Sequence, residues 1–200
     1  MTLTWYGHSC FRLDTAEGSA VFDPYYPGSV PGLAMPELTA DAVFCSHFHR
    51  DHGAEELVKR TGREPRFAVT RIDTFHDEEK GALRGDNLLT VIEAEGLRIA
   101  HLGDLGHELN EEQLRALGRV DVLMLPVGGH YTVDAPTAAR ICRAVGARTV
   151  IPMHYRGEGF GYGVIGTVDA FTELLEPVTY LPGNCLDLAA APAGVVVFAR

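Results

Sequence analysis

The feature that most constrains this chain is a run of metal-capable side chains set directly behind a short apolar segment. Asp41-Ala42-Val43-Phe44-Cys45-Ser46 reads as a buried strand, and His47-Phe48-His49-Arg50-Asp51-His52-Gly53 follows it without a break. Three imidazoles and a carboxylate thus fall within six residues, and this donor set suits zinc, iron or manganese. His47 and His49 are two apart, so an extended backbone sends both side chains to one face. Asp51 and His52 come where the chain turns, and can address a second locus nearby. One short segment can therefore offer two ligands to each of two metal sites. The plainer alternative is a histidine-rich surface loop. The density of four such side chains directly behind an apolar strand argues against it.

The rest of the chain supplies a scaffold of strands first, then strands alternating with helices. Leu3 to Leu13 and Ser19 to Tyr25 are β-like runs separated by the turn signal Glu17-Gly18. Residues 27–36 are rich in proline and glycine and read as a loop. The segment 53–60 (GAEELVKR) predicts a helix, with acids early and bases late. Strands are expected over 66–70, 88–93, 97–102, 121–127, 149–153 and 194–199, and Glu95-Gly96 makes the second and third a hairpin. Helices are expected over 111–117, 135–145 and 168–175. The second of these carries apolar residues at helical spacing, Asp134 as N-cap and Gly146 as its stop. Two sheets covered by helices would account for that order. Nothing reads as a linker or a tandem repeat, and the 200 residues are read as one domain, 1–200.

Composition narrows the partners. The chain is 46% apolar and 22% charged, an ordinary globular balance, with a formal net charge of −10. That charge disfavours nucleic acid and anionic membranes, which want clustered Lys and Arg. No window reaches the ~18 continuous apolar residues of a membrane span, and the start of the chain has no signal-peptide pattern, so the expectation is a cytoplasmic protein. Cys10, Cys45, Cys142 and Cys185 form no C-x-x-C pair, and their apolar surroundings predict four buried, reduced thiols. The sequence carries no signal of oligomeric state.

The His-x-His-x-Asp-His run resembles the signature of the metallo-β-lactamase superfamily, and the chain looks most like its small lactonase-like hydrolases related to ascorbate-6-phosphate lactonase. The supporting stretches are WYGHSCF (5–11), Asp23-Pro24-Tyr25, SHFHRDHG (46–53), HLGDLGH (101–107), LPVGG (125–129) and IPMHY (151–155), in the order the family uses. The resemblance implies a mixed α/β (α+β) fold, a four-layer αββα sandwich with a two-metal site at one edge. It implies His47, His49 and a third histidine on one metal, with Asp51, His52 and His154 on the other. Asp104 would bridge them, as a carboxylate can between cations ~3.5–4 Å apart. His76 lies in the expected interval for the third histidine, and His101 competes with it from inside a strand, where its direction depends on register.

The remaining histidines are weaker signals. His8, in Gly7-His8-Ser9, is a candidate pocket-rim group that hydrogen-bonds substrate or a carboxylate behind the ligands, with an ordinary structural histidine as the alternative. His130 follows the DVLMLPV strand in a glycine-bearing loop and is the other candidate substrate contact. His107 reads as structural or supporting, and Tyr155 as packing. Asp23 ends an apolar strand, where a carboxylate can accept from a ligand imidazole. Arg50 and Arg156 adjoin ligands and could meet a substrate phosphate or carboxylate. The glycine-rich 157–166 segment, with Phe160 and Tyr162, could wall the pocket as a flap, as could the 27–36 loop.

The chemistry expected is metal-dependent hydrolysis. Water held between two cations ionises near neutral pH and attacks a carbonyl or phosphorus centre of a small lactone, ester or phosphoester, with Asp51 or Asp104 orienting it and moving its proton. Two divalent ions are expected, zinc first, with manganese or iron compatible with the same ligands. A single-iron dioxygenase on the same fold and a non-catalytic metal-dependent sensor are the alternatives.

Overall fold

The computed structural model describes residues 1–199. Three antiparallel strands open it, β1 (Thr2–Trp5), β2 (Phe11–Thr15) and β3 (Gly18–Phe22), followed by β4 (Leu38–Ala40), β5 (Ala42–Phe44) and β6 (Val58–Arg60). Then come β7 (Ala68–Phe75), β8 (Asp86–Ala94) and β9 (Leu97–His101), α1 (Glu111–Leu117), β10 (Val122–Pro126), α2 (Ala135–Val145), β11 (Thr149–Met153) and α3 (Asp169–Thr172). The chain closes with β12 (Val178–Tyr180), β13 (Cys185–Asp187) and β14 (Gly194–Val197).

These strands make two large sheets, in the orders β13-β1-β2-β3-β5 and β12-β14-β11-β10-β9-β8-β7, and a ribbon of β4 and β6. Alternation decides which side chains face the partner sheet. On β3, Ala20 and Phe22 join the main core with Leu89, Val91 and Ile99 of the second sheet, whereas Val21 points the other way. The outer face of the first sheet is covered by residues 24–60, whose Tyr25, Val30, Leu33, Leu38 and Val58 pack on Val21 and Val43. α2 covers the second sheet with Ala138, Ala139, Ile141 and Cys142. β10 lies between parallel neighbours and is buried along its whole length, as a central parallel strand must be.

Local rules account for the helices. Asp134 accepts from the Thr137 N–H at 3.0 Å, and Gly146 closes α2 in the left-handed region at φ 66°. Asn110 and Gln113 satisfy each other's backbone N–H in a capping box at the start of α1. Two expected helices are corrected. The 53–60 segment forms a 3-10 turn at Glu55–Leu57 and then β6. Ala54, Leu57 and Val58 would share a helix face, but Leu57 is exposed and Val58 pairs in register with Leu38 of β4. The 168–175 helix shortens to α3, which has no side-chain N-cap. Cys185 is also corrected. It is exposed on edge strand β13, while the other three cysteines are buried, and all four are free. No helix among the described residues is long and apolar enough to cross a membrane.

Candidate metal centre

The histidine-rich run follows β5 at the edge of the sandwich, and a single buried carboxylate organises it. Asp23, at φ 42° after β3, accepts from the Ser46 N–H at 2.6 Å, from the Ser46 hydroxyl at 2.7 Å and from His52 Nδ1 at 2.8 Å. The Ser46 hydroxyl has one proton and gives it to Asp23, so His47 Nδ1, 2.9 Å away, must donate to Ser46 Oγ. Both imidazoles therefore hold a proton on Nδ1, which leaves Nε2 as the ligating atom of each. Burial alone would raise the Asp23 pKa. The histidines around it, His52 foremost, outweigh that and hold its carboxyl below the usual range.

The second sheet delivers the facing groups. Ser46 O accepts from the Leu88 N–H at 2.9 Å and ties the run to β8. Asn87 accepts from the Asp104 N–H at 2.9 Å while donating to Thr74 Oγ1 and Leu102 O, fixing the turn after β9. Gly103 is needed in that turn, because a Cβ there would overlap Asn87 and Ser46. His76 follows β7, and His154 follows β11 at φ 53°. His8 sits at φ 53° after Gly7, and its carbonyl accepts from Trp5 Nε1 at 3.0 Å.

Four imidazoles converge on Asp104. Its Oδ2 is 3.2 Å from Nε2 of His52 and of His154, 3.3 Å from His76 Nε2 and 4.0 Å from His47 Nε2. Three overlapping groups have ligand atoms within 4.8 Å of one another: His47, His49 and His76; His8, Asp51, His52 and His154; and His47, His52 and Asp104. The buried Nε2 atoms of His8, His47, His52 and His154, and Asp104 Oδ1, have no hydrogen-bond partner. Buried polar atoms are almost always satisfied, and a shared cation would satisfy such a cluster of imidazole nitrogens around one carboxylate. The donors are nitrogen and oxygen without sulfur, which fits Zn²⁺, Mn²⁺ or Fe²⁺.

The electrostatics agree with a site built to receive positive charge. Burial drives the His47 pKa down to about 3, assisted by His52, and that of His8 down to about 4, assisted by His154, so both stay neutral. Burial also lowers the His76 pKa. Burial would depress His52 too, but Asp104 and Asp23 on either side raise it well above its ordinary value. Asp104 is held well below the carboxylate range by His154 and His52, against the effect of its own burial.

Each expected residue can now be located. His47, His49, Asp51, His52, His76, Asp104 and His154 are brought together. His101 is not among them. Its Nδ1 accepts from the Gly103 N–H at 3.1 Å, its Nε2 faces the Ser9 carbonyl at 2.9 Å, and its ring stacks on Phe22 at 5.2 Å. Both nitrogens are used, and strand register sends the side chain into the core. His8 is buried beneath the nest, with Nε2 3.3 Å from Asp51 Oδ2, and does not lie at the rim. His130 is exposed and lines a neighbouring cavity with Tyr131. His107 accepts from the Phe75 N–H, a structural contact. Tyr155 is buried against Trp5. Arg50 lies over Tyr26, and Arg156 Nε donates to Ile165 O; neither lines the cleft.

The cleft over the nest has a volume of ≈ 290 Å³ and is lined by His49, Asp51, His76, Asp104 and His154 together with Arg84, Tyr131 and Tyr162. Arg84 and Tyr131 carry no pattern that marks them in the sequence. The 157–166 segment does wall the site. Tyr162 Oη lies 2.8 Å from Ser29 O and 3.2 Å from Asp51 Oδ2. The Gly161 N–H donates to Pro31 O, and a Cβ on Gly32 would overlap the Gly159 carbonyl, so the two loops seat against each other.

Two facing sheets with a His/Asp nest at one edge define a class of metal-using hydrolases, and comparison with known proteins agrees. The family model described as a beta-lactamase superfamily domain matches residues 2–154. A UPF0173 metal-dependent hydrolase of Methanoculleus marisnigri is 34% identical, covering 97% of this chain and 100% of its own. One from Archaeoglobus fulgidus is 29% identical over 78% of this chain and 83% of its own. The crystal structure of a candidate Zn-dependent hydrolase of the metallo-beta-lactamase superfamily from Thermotoga maritima superposes with a TM-score of 0.79 at 34% identity, covering 98% of this chain and 97% of that one. The chain belongs to the metallo-β-lactamase superfamily and, within it, to the metal-dependent hydrolases of the UPF0173 group.

Proposed function

We propose that the chain, acting as one domain, hydrolyses a small lactone, ester or phosphoester at a binuclear centre. His47, His49 and His76 would hold one ion, and Asp51, His52 and His154 the other, with Asp104 between them. The observation that carries this is the ring of buried, unpartnered Nε2 atoms around one carboxylate. Zinc is the first expectation, with manganese or iron compatible.

Divalent ions bound there would acidify water and polarise the electrophile's oxygen. The chain's own residues do the rest. Asp23, through Ser46 and directly, holds His47 and His52 in the tautomer that frees Nε2. Asp51 faces the cleft and is the group to accept the attacking water's proton at Oδ2, which His8 Nε2 and Tyr162 Oη both approach. His8 thus flanks Asp51 and adds a third imidazole to the second group. The cleft is at the small end of ligand-pocket size, which favours a small molecule over RNA. The test is metal analysis with a screen of metal-loaded protein against lactones, phosphodiesters and RNA. Two Zn or Mn per chain with ester or lactone turnover is expected. One Fe per chain with oxygen consumption would make it a dioxygenase, and full metal loading without turnover of any substrate would make it a sensor.

A further inference from the structure

Among the described residues, Arg84 is the only Lys or Arg that lines the metal cleft, and it also lines the neighbouring cavity of ≈ 290 Å³ that His130 borders. It therefore stands in the wall where the two spaces meet. The chain has a formal net charge of −10, yet among the described residues Arg84 makes no ion pair. Its one hydrogen bond from the guanidinium is Nη2 to His130 O at 3.1 Å, and its Cζ lies 5.9 Å from the Tyr131 ring centroid. A guanidinium has five N–H donors in a planar fork, so most of this one is left for something that enters the cleft.

The loop that presents Arg84 is fixed from within. The Asp77 carboxylate accepts backbone N–H groups from Glu79, Gly81, Leu83 and Arg84 at 2.7–3.0 Å. His76 N donates to Gly85 O and closes the base of the loop. One wound loop thus begins at a candidate metal ligand and ends at an unpaired cation, holding the two at a set spacing without using the Arg84 side chain. Glu78 and Glu79 border the outer cavity but are exposed to solvent, which screens them.

We infer that the substrate carries an oxyanion, carboxylate or phosphate, on the part distal to the scissile bond, and that Arg84 binds it. This deepens the proposed hydrolysis and rests on it. It excludes purely apolar esters as the preferred substrates. It also separates two anion-attracting features of the cleft, since the electrophile meets the metal nest and the distal anion meets the guanidinium.

The test uses three 4-nitrophenyl esters with metal-loaded protein: the butyrate, the hemisuccinate and the 3-phosphonopropionate. The wild type should prefer one or both anionic esters. Arg84→Gln should lower that preference about tenfold to a hundredfold, the range for losing a charge-assisted contact. The loss should fall in KM and not in kcat, with partial rescue by Arg84→Lys. The two anionic esters distinguish carboxylate from phosphate. An anionic preference as large in Arg84→Gln as in wild type overturns the inference, as does a wild type that prefers the butyrate. If the wild type cleaves none of the three esters, calorimetric titration of succinate and phenylphosphonate into both metal-loaded proteins decides it. Tighter binding by wild type supports the role of Arg84 even though these esters fail to test the hydrolysis. Equal affinity overturns it.

Discussion

Replacing Asp23 with asparagine keeps the size of a fully buried side chain but removes its charge and changes its hydrogen-bond logic. The carboxylate accepts three donors at 2.6, 2.7 and 2.8 Å. An amide in the same place offers one oxygen and one NH₂. If the oxygen keeps the Ser46 N–H, the NH₂ faces the Ser46 hydroxyl and His52 Nδ1. The hydroxyl can rotate to accept. His52 can accept only by moving its proton to Nε2, the atom 3.2 Å from Asp104 Oδ2 where a metal would bind. The substitution should therefore invert a tautomer. Loss of a partner behind a ligand imidazole typically costs ten- to a hundredfold in metal affinity, or about 1.4–2.7 kcal/mol. Metal-free stability should fall by only about 1–2 kcal/mol, since shape is kept and two of three contacts can be remade. Chelator competition with Zn²⁺, read beside metal-free thermal unfolding, measures both. Asp23→Ala should lose more stability than Asp23→Asn, because it leaves buried donors without any acceptor. Unchanged metal affinity in Asp23→Asn would refute the tautomer argument, even if the variant were less stable.

Other expectations can be checked independently. Asp104→Asn should weaken both metal sites, whereas His76→Ala should deplete mainly one; His101→Ala should keep its metal and lose stability, because its ring is stacked in the core, and metal loss in that variant would restore the competing assignment. Asp41 is held below the carboxylate range first by the Thr61 hydroxyl, then by Arg63 and Ser19. Its depressed pKa stabilises the fold above the unfolded value of ~3.9 and loses that contribution as pH falls through the folded value. Asp41→Asn should thus cost about 1–3 kcal/mol at pH 7 and progressively less towards pH 2, as read by urea unfolding; a constant difference across that window would exclude the ionised contact. An Ellman titration should find one thiol in the native protein, Cys185, and four after denaturation without reductant. Burial pushes the Cys142 pKa up to about 12 and those of Cys10 and Cys45 up as well, so rapid native labelling of more than one thiol would contradict the packing.

Much of this architecture was legible because it rests on local chemistry. α2 and α1 follow from caps and spacing, and β10 from an unbroken apolar run. The gathering of His47, His49, Asp51 and His52 was visible in their spacing, and the supporting role of Asp23 in its place after an apolar strand. The rest depended on long-range register. Nothing in the chain near His101 states that both its nitrogens would meet backbone groups, one of them 92 positions away. His8 reads as a rim residue until the Gly7-His8 turn folds its ring under Asp51. The 53–60 segment has helical charge order and spacing, but it pairs as β6 with β4, which lies some twenty residues upstream. Arg84 acquires meaning only once Asp77 has wound the loop around itself.

The groups of the nest around Asp104 come from positions 8, 47, 49, 51, 52, 76 and 154, and they follow strands of both large sheets. An ion bound among them would act as a staple across the seam of the sandwich, joining segments that are far apart in the chain. A ligand that binds only the folded form stabilises it by about 2.7 kcal/mol at a hundred times its dissociation constant, a large share of the stability of an ordinary domain. The availability of metal would then govern how long the molecule survives unfolding and proteolysis as well as whether it can turn over substrate, so a starved cell would lose the protein along with its activity.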